Sequence, residues 1–519
     1  MLGQESRAVR QATQAQHKVF DKGENPDAAT IHLCAVDGAD SVLNAGSCLD
    51  SEAANLHRAV WGLKEAQPED SAFWVVTRQQ RFVLIAAGAA TALSAMFAPL
   101  LTLGLFAGAA GALNIVVAGF RLWLAVLAPD AASPVPTRGG LLRVRKTWPS
   151  YTVLVPLFRE AHVVPGLAQG LGRLDYPPGL VEIFLVCEAD DEATVAAARA
   201  AAQADARFRV IAVPPCEPRT KPKALNFALA YAAGELCVVF DAEDRPEPDQ
   251  LRQAARRFMT STDDLACLQA RLNWYNRNRN WLTRAFALEY ALWFDYLLPG
   301  LERLRAPIPL GGTSNHFKTA ALRRCGAWDP FNVTEDADLG LRLMRQGGIV
   351  ATIPSTTYEE ATSRPSAWIR QRSRWIKGYM QTWLVQMRDP VRLWRAAGPF
   401  GFLAFHLFVG GVVLTALVNP WLWLLTLVEA ARWGLGAPAL LGDAAALITV
   451  TSLVLGNLGL IYLNMLCVLR RGWFELVPAA LMTPIYWILI SVAGYRALVQ
   501  LITAPFYWEK TTHGADAPA

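Results

Sequence analysis

Leu236–Asp244 reads Leu-Cys-Val-Val-Phe-Asp-Ala-Glu-Asp, an apolar, partly β-branched run that ends in carboxylates. The pattern predicts a buried strand that delivers Asp241 and Glu243 one residue apart at its carboxyl end. Carboxylates in that position suit a hard cation such as Mg²⁺ or Mn²⁺, which also takes phosphate oxygens from a substrate. An acidic start of the next helix would explain the same residues, because Asp and Glu are favoured there.

Similar runs recur on both sides of this stretch. Thr152–Leu157, Val181–Val186, Arg209–Val213 and Leu265–Ala270 are further strand candidates, separated by Ala-rich amphipathic segments such as Glu192–Ala202. This alternation predicts an α/β domain with a mainly parallel sheet and crossover helices. In such domains ligands bind beyond the carboxyl ends of the strands, which is where the acidic residues fall.

Long apolar runs flank this domain. No charged residue occurs from Phe82 to Phe120, so the region to Ala128 is predicted to be a two-helix membrane hairpin turning near Pro99. Gly401–Val428 and Ala444–Leu469 are also uncharged. A later run, beginning at residue 476 and continuing to 508, leaves two alternatives open: one span, or a hairpin that re-enters and returns.

The charge distribution predicts how the domain faces the membrane. Arg78 and Arg81 precede the hairpin, and Arg143, Arg145 and Lys146 follow it, so the positive-inside rule puts both flanks and the next domain in the cytoplasm. A net charge of +5 is too small to argue for nucleic acid. It suits a protein that rests against anionic lipid head groups.

Three further segments carry candidate chemistry, each with a simpler alternative. Lys221, within Thr220–Asn226, lies at the start of a predicted helix, and it could bind an anion together with the helix N-terminus. The simpler alternative is that Lys221 is a solvated surface lysine. Val333–Asp338 opens another helix, where Asp336 would accept a proton from a sugar hydroxyl or serve with Thr334 in capping. Gln371–Trp375 offers an Arg fork for pyrophosphate and an indole for a sugar ring, or forms an amphipathic helix on the membrane surface.

The order of these segments resembles the processive family-2 glycosyltransferases, which include cellulose, hyaluronan and chitin synthases. The resemblance covers about residues 150–510. The tail from Pro505 to His513 is similar to a subgroup close to the bacterial phage-adsorption protein B. The implied fold is a cytoplasmic α/β domain of the GT-A type with a mainly parallel sheet, inserted between two blocks of transmembrane helices.

The resemblance also implies a role for individual residues. Asp336 matches the catalytic base, and Asp241 and Glu243 match the metal motif. The implied donor-binding residues are Glu160, Glu188 (with Asp190 as the fallback), Lys221, Asp241, Glu243, Gln371 and Arg374. The implied acceptor-binding residues are Trp375, Glu335, Asn315 and His316. The chain departs from the family pattern at Glu188, where Asp is usual, at Lys223, which replaces a Gly, and at Glu243, which lengthens an Asp.

The expected protein is a multi-pass inverting polysaccharide synthase of the bacterial inner membrane, with Mg²⁺ or Mn²⁺ as cofactor. It would transfer sugar from a UDP-sugar to a growing β-linked glycan and translocate that glycan across the membrane. A periplasmic or outer-membrane secretion partner is a further expectation. Two alternatives remain open: transfer of one sugar to a lipid acceptor, and an inactive receptor or transport component. No nucleic-acid partner is expected.

The chain divides into seven expected segments. In order they are a polar N-terminal segment (1–78), a membrane hairpin (79–128), a linker (129–149), the glycosyltransferase domain (150–364), amphipathic interface helices (365–398), transmembrane helices (399–505) and a C-terminal tail (506–519).

Overall fold

A computed structural model describes residues 46–128 and 147–508, with side chains from residue 51 onward. The predicted basic cluster at 143–146, and parts of the expected N-terminal segment, linker and tail, lie outside these residues. The domain is built on one sheet of eight strands: β1 Tyr151–Leu157, β2 Val181–Glu188, β3 Phe208–Val213, β4 Leu236–Val239, β5 Arg245–Pro246, β6 Leu265–Trp274, β7 Asn315–Lys318 and β8 Ile349–Glu359.

The strand order is β3-β2-β1-β4-β7-β6-β8-β5. β1 pairs in parallel with β2 and β4, β2 pairs in parallel with β3, and β6 pairs in parallel with β8. β7 runs antiparallel between β4 and β6, so the sheet is mostly parallel with a reversed strand near its middle. The five predicted strands are confirmed, and the carboxyl ends of β1, β2 and β4 meet at one edge.

Helices cover both faces of this sheet. The first face carries α4 Val164–Gly172, α5 Glu192–Ala204 and α7 Gln250–Met259, whose buried residues share one core with the strands. The second face carries α6 Lys221–Leu229, α8 Trp281–Leu292 and α9 Leu298–Arg303, with α10 Thr319–Arg324 and α11 Glu335–Arg345 beside them. Helix α1, Gly46–Ala66, packs onto this second face through Leu56 and Ala59.

Six further helices are rich in apolar residues. They are α2 Arg78–Phe97, α3 Pro99–Leu127, α13 Pro390–Phe405, α14 Gly411–Gly434, α15 Asp443–Arg470 and α16 Thr483–Thr503. The hairpin of α2 and α3 is confirmed, with its break at Ala98. Gly398 breaks α13 with a φ of 71°, and Pro399 follows it, which separates a polar first half from an apolar second half. Within the described residues, five helical segments are long and apolar enough to cross a membrane.

The last of these segments, Phe474–Thr503, lies along α12, Pro365–Gln386. Two contacts near the two ends of α12 show this. Near its start, Trp368 packs edge-on against Tyr486 at the beginning of α16. Further along, Gln381 donates to the Pro505 carbonyl just past the end of α16, at 3.0 Å. The region that left two alternatives open is therefore a single helix, α16, preceded by a 3₁₀ segment at Phe474–Met482.

Candidate active site

The carboxylates after β4 line the floor of a cavity of about 390 Å³. Lys221, at the start of α6, contacts Asp241 at 2.5 Å and donates to the Gly312 carbonyl at 2.7 Å. Burial alone would lower the pKa of Lys221, but the carboxylates of Asp241, Glu335 and Asp336 overcome burial and raise it. Lys221 is therefore held as a cation that joins the two acidic segments, and it is not a solvated surface lysine.

Sequence reasoning did not single out two further acids close to this floor: Glu359, which lines the cavity, and Asp244, which accepts a hydrogen bond from the Asp241 amide. Burial, followed by repulsion from Asp241 and Glu243, raises the pKa of Asp244; burial and repulsion from Asp244 raise that of Glu359. In the described part of the chain, Asp244 Oδ1 and Glu359 Oε1 are buried without a hydrogen-bond partner. Such crowding of oxygens is relieved by positive charge, so the residues present fit a hard cation.

A cation here would rely on substrate oxygens to complete its shell. The described residues contain no group of three or more His, Cys, Asp or Glu side chains arranged to hold a metal ion by themselves. Asp241 and Glu243 both line the cavity, and Mg²⁺ commonly takes one or two carboxylates with phosphate oxygens and water.

Glu335 and Asp336 open α11 on the opposite wall. Burial, and then the charge of Asp336, raises the pKa of Glu335 to about 8. Burial also raises the pKa of Asp336, while Lys221 and Arg374 act to lower it. Thr334 occupies the N-cap position but makes no capping hydrogen bond, and Asp336 accepts one from the Ala337 amide at 2.8 Å.

The segment Gln371–Trp375 lies on α12 and also faces the cavity. Burial lowers the pKa of Arg374, against the opposing effect of Glu335 and Asp336. Arg372 has a different place: it forms two hydrogen bonds with Glu289 of α8, at 3.0 and 2.5 Å, and one with the Tyr486 hydroxyl at 3.0 Å. Arg374 is the arginine left facing the acids, whereas Arg372 fixes α12 against α8 and α16.

Two of the departures from the pattern of the resembling family, Glu188 and Lys223, lie together near the cavity. Glu160 and Glu188 line it, but Asp190 is not among the lining residues and pairs instead with Arg219 at 2.7 Å. Lys223 forms a buried ion pair with Glu188 at 2.8 Å. The two unusual residues therefore compensate each other: burial raises the pKa of Glu188, and Lys223 opposes that rise.

Asn315 and His316 are the predicted acceptor residues that the structure does not bring into the cavity. His316 is buried towards the other face of the sheet, with the Tyr151 hydroxyl 3.0 Å from Nδ1, and burial lowers its pKa to about 3. Asn315 donates to the Gly311 carbonyl at 2.6 Å and so holds the turn that does line the cavity. Side chains alternate across a strand, which explains why His316 faces away.

Trp508 reaches the cavity from the C-terminal side of α16. Its ring lies 5.3 Å from the Arg374 guanidinium, and it lines the same space. The backbone before it is held by Lys377, which donates to the Tyr507 carbonyl at 2.7 Å. The sequence signalled this tail through resemblance but did not place it beside Arg374.

The cavity continues past Trp375 into the helix bundle. Aromatic residues of α8, its π-helical continuation and α16 surround the passage: Tyr290, Trp293, Tyr486 and Trp487. Beyond them, amide and hydroxyl side chains from four helices line the space: Asn114, Thr415, Asn419, Asn457, Asn464, Thr483 and Ser491. Among the described residues, Asn419 Oδ1, Asn457 Nδ2 and Asn464 Oδ1 are buried without a partner. These atoms fit a ligand rich in hydroxyl groups.

Comparison with known proteins agrees with the geometry of the domain. Residues 149–378 match the sequence model of the family described as "Glycosyltransferase like family 2". Beta-monoglucosyldiacylglycerol synthase of Trichormus variabilis is 27% identical over 243 residues, which cover 46% of this chain and 50% of that protein. Cellulose synthase 1 catalytic subunit [UDP-forming] of Komagataeibacter xylinus is 27% identical over 247 residues, or 46% of this chain and 32% of that protein.

One solved structure that the comparison found is the mannosyltransferase PcManGT from Pyrobaculum calidifontis, in complex with GDP-Man and Mn²⁺. Its TM-score is 0.49 at 20% identity, and the match covers 78% of this chain and 99% of that chain. The chain spans about half the length of the first curated relatives that it matches.

Proposed function

We propose, from the premise that residues 149–378 are a family-2 glycosyltransferase domain, that the whole chain is a membrane-bound polysaccharide synthase. It transfers sugar from a UDP-sugar to a growing β-linked glycan and passes the glycan into the helix bundle. One observation carries this proposal. A single cavity connects the acids at Asp241 and Asp336 with the amide-lined space at Asn464.

The reaction needs a base, an acceptor site and compensation for a leaving diphosphate. Asp336 accepts the proton of an acceptor hydroxyl, whose oxygen attacks the anomeric carbon while the bond from that carbon to the diphosphate breaks. Lys221 and Arg374 offset the charge that develops on the diphosphate. A single displacement inverts the anomeric centre, so an α-linked donor gives a β-linkage.

Other residues of the cavity bind and orient the substrates. Asp241 and Glu243 would hold Mg²⁺ or Mn²⁺, which supplies positive charge to the diphosphate oxygens when it is bound. Glu160 and Glu188 face the nucleotide, and Gln371 faces the diphosphate. Trp375 offers an indole face to the terminal sugar of the acceptor, with Glu335 beside it. Asn315 would act on the acceptor indirectly, through the Gly311 turn.

A lipid acceptor is the second candidate function. The relatives named Beta-monoglucosyldiacylglycerol synthase favour it, and so does Arg121, which lines the cavity from within apolar helix α3. Against it, an acyl chain gains nothing from the unpartnered amides of Asn457 and Asn464, whereas sugar hydroxyls pair with them.

Product size separates these functions. The purified protein in lipid nanodiscs is incubated with Mg²⁺ or Mn²⁺ and a panel of radiolabelled nucleotide-sugars, and the products are sized and digested with linkage-specific glycosidases. We expect a polymer that is sensitive to a β-glycosidase. A labelled lipid carrying one sugar would overturn the polymer proposal in favour of the lipid acceptor. Absence of nucleotide release with every donor would favour an inactive receptor.

A further inference from the structure

The residues just before the proposed base form a loop that is in contact with other parts of the chain on two sides. We name residues 325–334 the base loop, because they lead from α10 into Glu335 and Asp336. On one side, α12 holds its end: the Val333 amide donates to Gln381 at 3.1 Å, and Asn332 donates to Thr382 at 3.1 Å. The position of Asp336 therefore depends on what holds the rest of the base loop.

The other side of the base loop is held by the segment that precedes the first apolar helix. We name residues 51–74 the N-terminal clamp. The fully buried Asp329 accepts hydrogen bonds from the Ser71 hydroxyl at 3.1 Å and the Ala72 amide at 2.5 Å. The ring of Phe331 packs between Trp61 and Phe73, with centroids 5.2 and 5.0 Å away.

The N-terminal clamp also contacts the helix that presents Lys221. Asn226 of α6 donates to the Ala59 carbonyl of the clamp at 2.9 Å and to the Trp328 carbonyl of the base loop at 2.8 Å. Asn55 of the clamp donates to the Phe227 carbonyl of α6 at 3.3 Å. The clamp therefore touches both α6, which carries Lys221, and the base loop, which leads into Asp336.

A third set of contacts ties the clamp to the far ends of α11 and α12. Asp70 pairs with Arg345, at the end of the helix that Asp336 opens, and with Arg392 at 3.2 Å. Arg388, just past α12, donates to the carbonyls of Glu69 and Ser71 at 3.0 and 2.9 Å. These contacts lie outside the cavity, so they serve no direct role in binding substrate.

We propose that the N-terminal clamp is a positioning element for the base, docked on a surface of its own catalytic domain, and that Asp329 is the positioning residue through which it acts. This inference rests on the proposed role of Asp336. If the clamp leaves, the Asp329 carboxylate loses the Ser71 and Ala72 donors and keeps the Phe331 amide at 3.1 Å. A buried carboxylate that has lost two of these three donors is unfavourable. The base loop then rearranges, and Asp336 moves away from the acceptor hydroxyl.

Steady-state kinetics of the full-length protein test this role. For Asp329→Ala we expect kcat to fall by about tenfold or more, because small misplacement of a catalytic group is costly. The donor KM should change by less than about twofold, since the donor contacts lie elsewhere. Asp329→Asn, which keeps an oxygen acceptor, should recover most of kcat. Glu65→Ala, on the exposed face of α1, is the matched control and should behave as wild type.

A double-mutant cycle tests the contact from the clamp side. Phe73→Ala and Phe331→Ala should each lower kcat, and the double variant should lose much less than the product of the two single losses. Additive losses would overturn the proposal. It would also be overturned if kcat and donor KM worsened only in proportion to the fall in each variant's thermal unfolding midpoint, and if Asp329→Asn did not recover kcat. If Asp329→Ala does not fold, this cycle alone decides.

Failure of the proposed function can be distinguished from failure of the clamp proposal. Wild-type kcat in the Asp329 and Phe331 variants, together with an inactive Asp336→Asn, would refute the clamp and keep the base. An active Asp336→Asn would refute the base itself.

Discussion

The two ends of the cavity differ in how they are made polar. At the sheet end, Asp241, Asp336, Lys221 and Arg374 supply full charges of both signs. At the bundle end, amides such as Asn464 lie among apolar and aromatic side chains, with Arg121 as a charged lining residue. Charges in a membrane interior are costly, and a neutral glycan needs only hydrogen-bond partners there. In the proposed function, the first end carries out the chemistry and the second end passes the product.

The largest effect is expected from a substitution at the charged, sheet end of the cavity. Asp241→Asn removes a carboxylate that faces both Lys221 and the proposed cation. We expect kcat/KM to fall by about a hundredfold to a thousandfold, as when one preorganised electrostatic group is removed from an active site. Asp205→Asn is the control, because the Asp205 side chain pairs with Arg207 at 2.6 Å and neither residue lines the cavity. Nucleotide release by Asp241→Asn at the control's rate would exclude Asp241 from the chemistry.

The pH dependence of kcat tests the electrostatics of the same end of the cavity. Lys221 lowers the pKa of Asp336, so Lys221→Gln should raise it. The base works only when it is deprotonated. If its pKa is higher, it becomes protonated at a higher pH, and activity is lost at that higher pH. The acidic limb of kcat should therefore move up by about one pH unit. A limb that stays in place, or that moves to lower pH, would show that Lys221 does not set the charge of the base.

The smallest expected effect lies at the bundle end. Asn464→Leu removes a buried amide whose oxygen has no partner among the described residues. One lost hydrogen bond to a sugar hydroxyl is worth about 1 kcal/mol, so we expect mean product length to fall about fivefold. The initial rate of nucleotide release should be unchanged. Leu455→Ala, exposed on the same helix, is the control. A change in initial rate without a change in product length would remove the distinction between the two ends.

The sequence was informative wherever local pattern determines structure. The strand before Asp241 and the hairpin around Pro99 follow from runs of apolar residues, and both are confirmed. β8 was not predicted, because Pro354, Ser355 and a run of Thr interrupt its apolar pattern while tertiary pairing with β6 holds it. The resemblance to family-2 glycosyltransferases followed from the order of motifs rather than from any one of them.

The parts that could not be predicted depend on contacts between distant residues. Glu188 and Lys223 each depart from the family pattern, and only their 2.8 Å ion pair shows that the two departures are coupled. Strand periodicity could have excluded His316 from the cavity only once the register of β7 was known. Nothing local to Trp508 reveals that it lies over Arg374.

One measurement tests the central claim, that Asp336 is the base of a family-2 transferase. Asp336→Asn preserves side-chain volume and removes the proton acceptor; kcat for nucleotide release and UDP affinity are measured on the same preparation. We expect kcat to fall by at least about a hundredfold, the lower bound for general base catalysis, with UDP affinity unchanged within about twofold. Polymer formed by this variant at the wild-type rate would contradict the account.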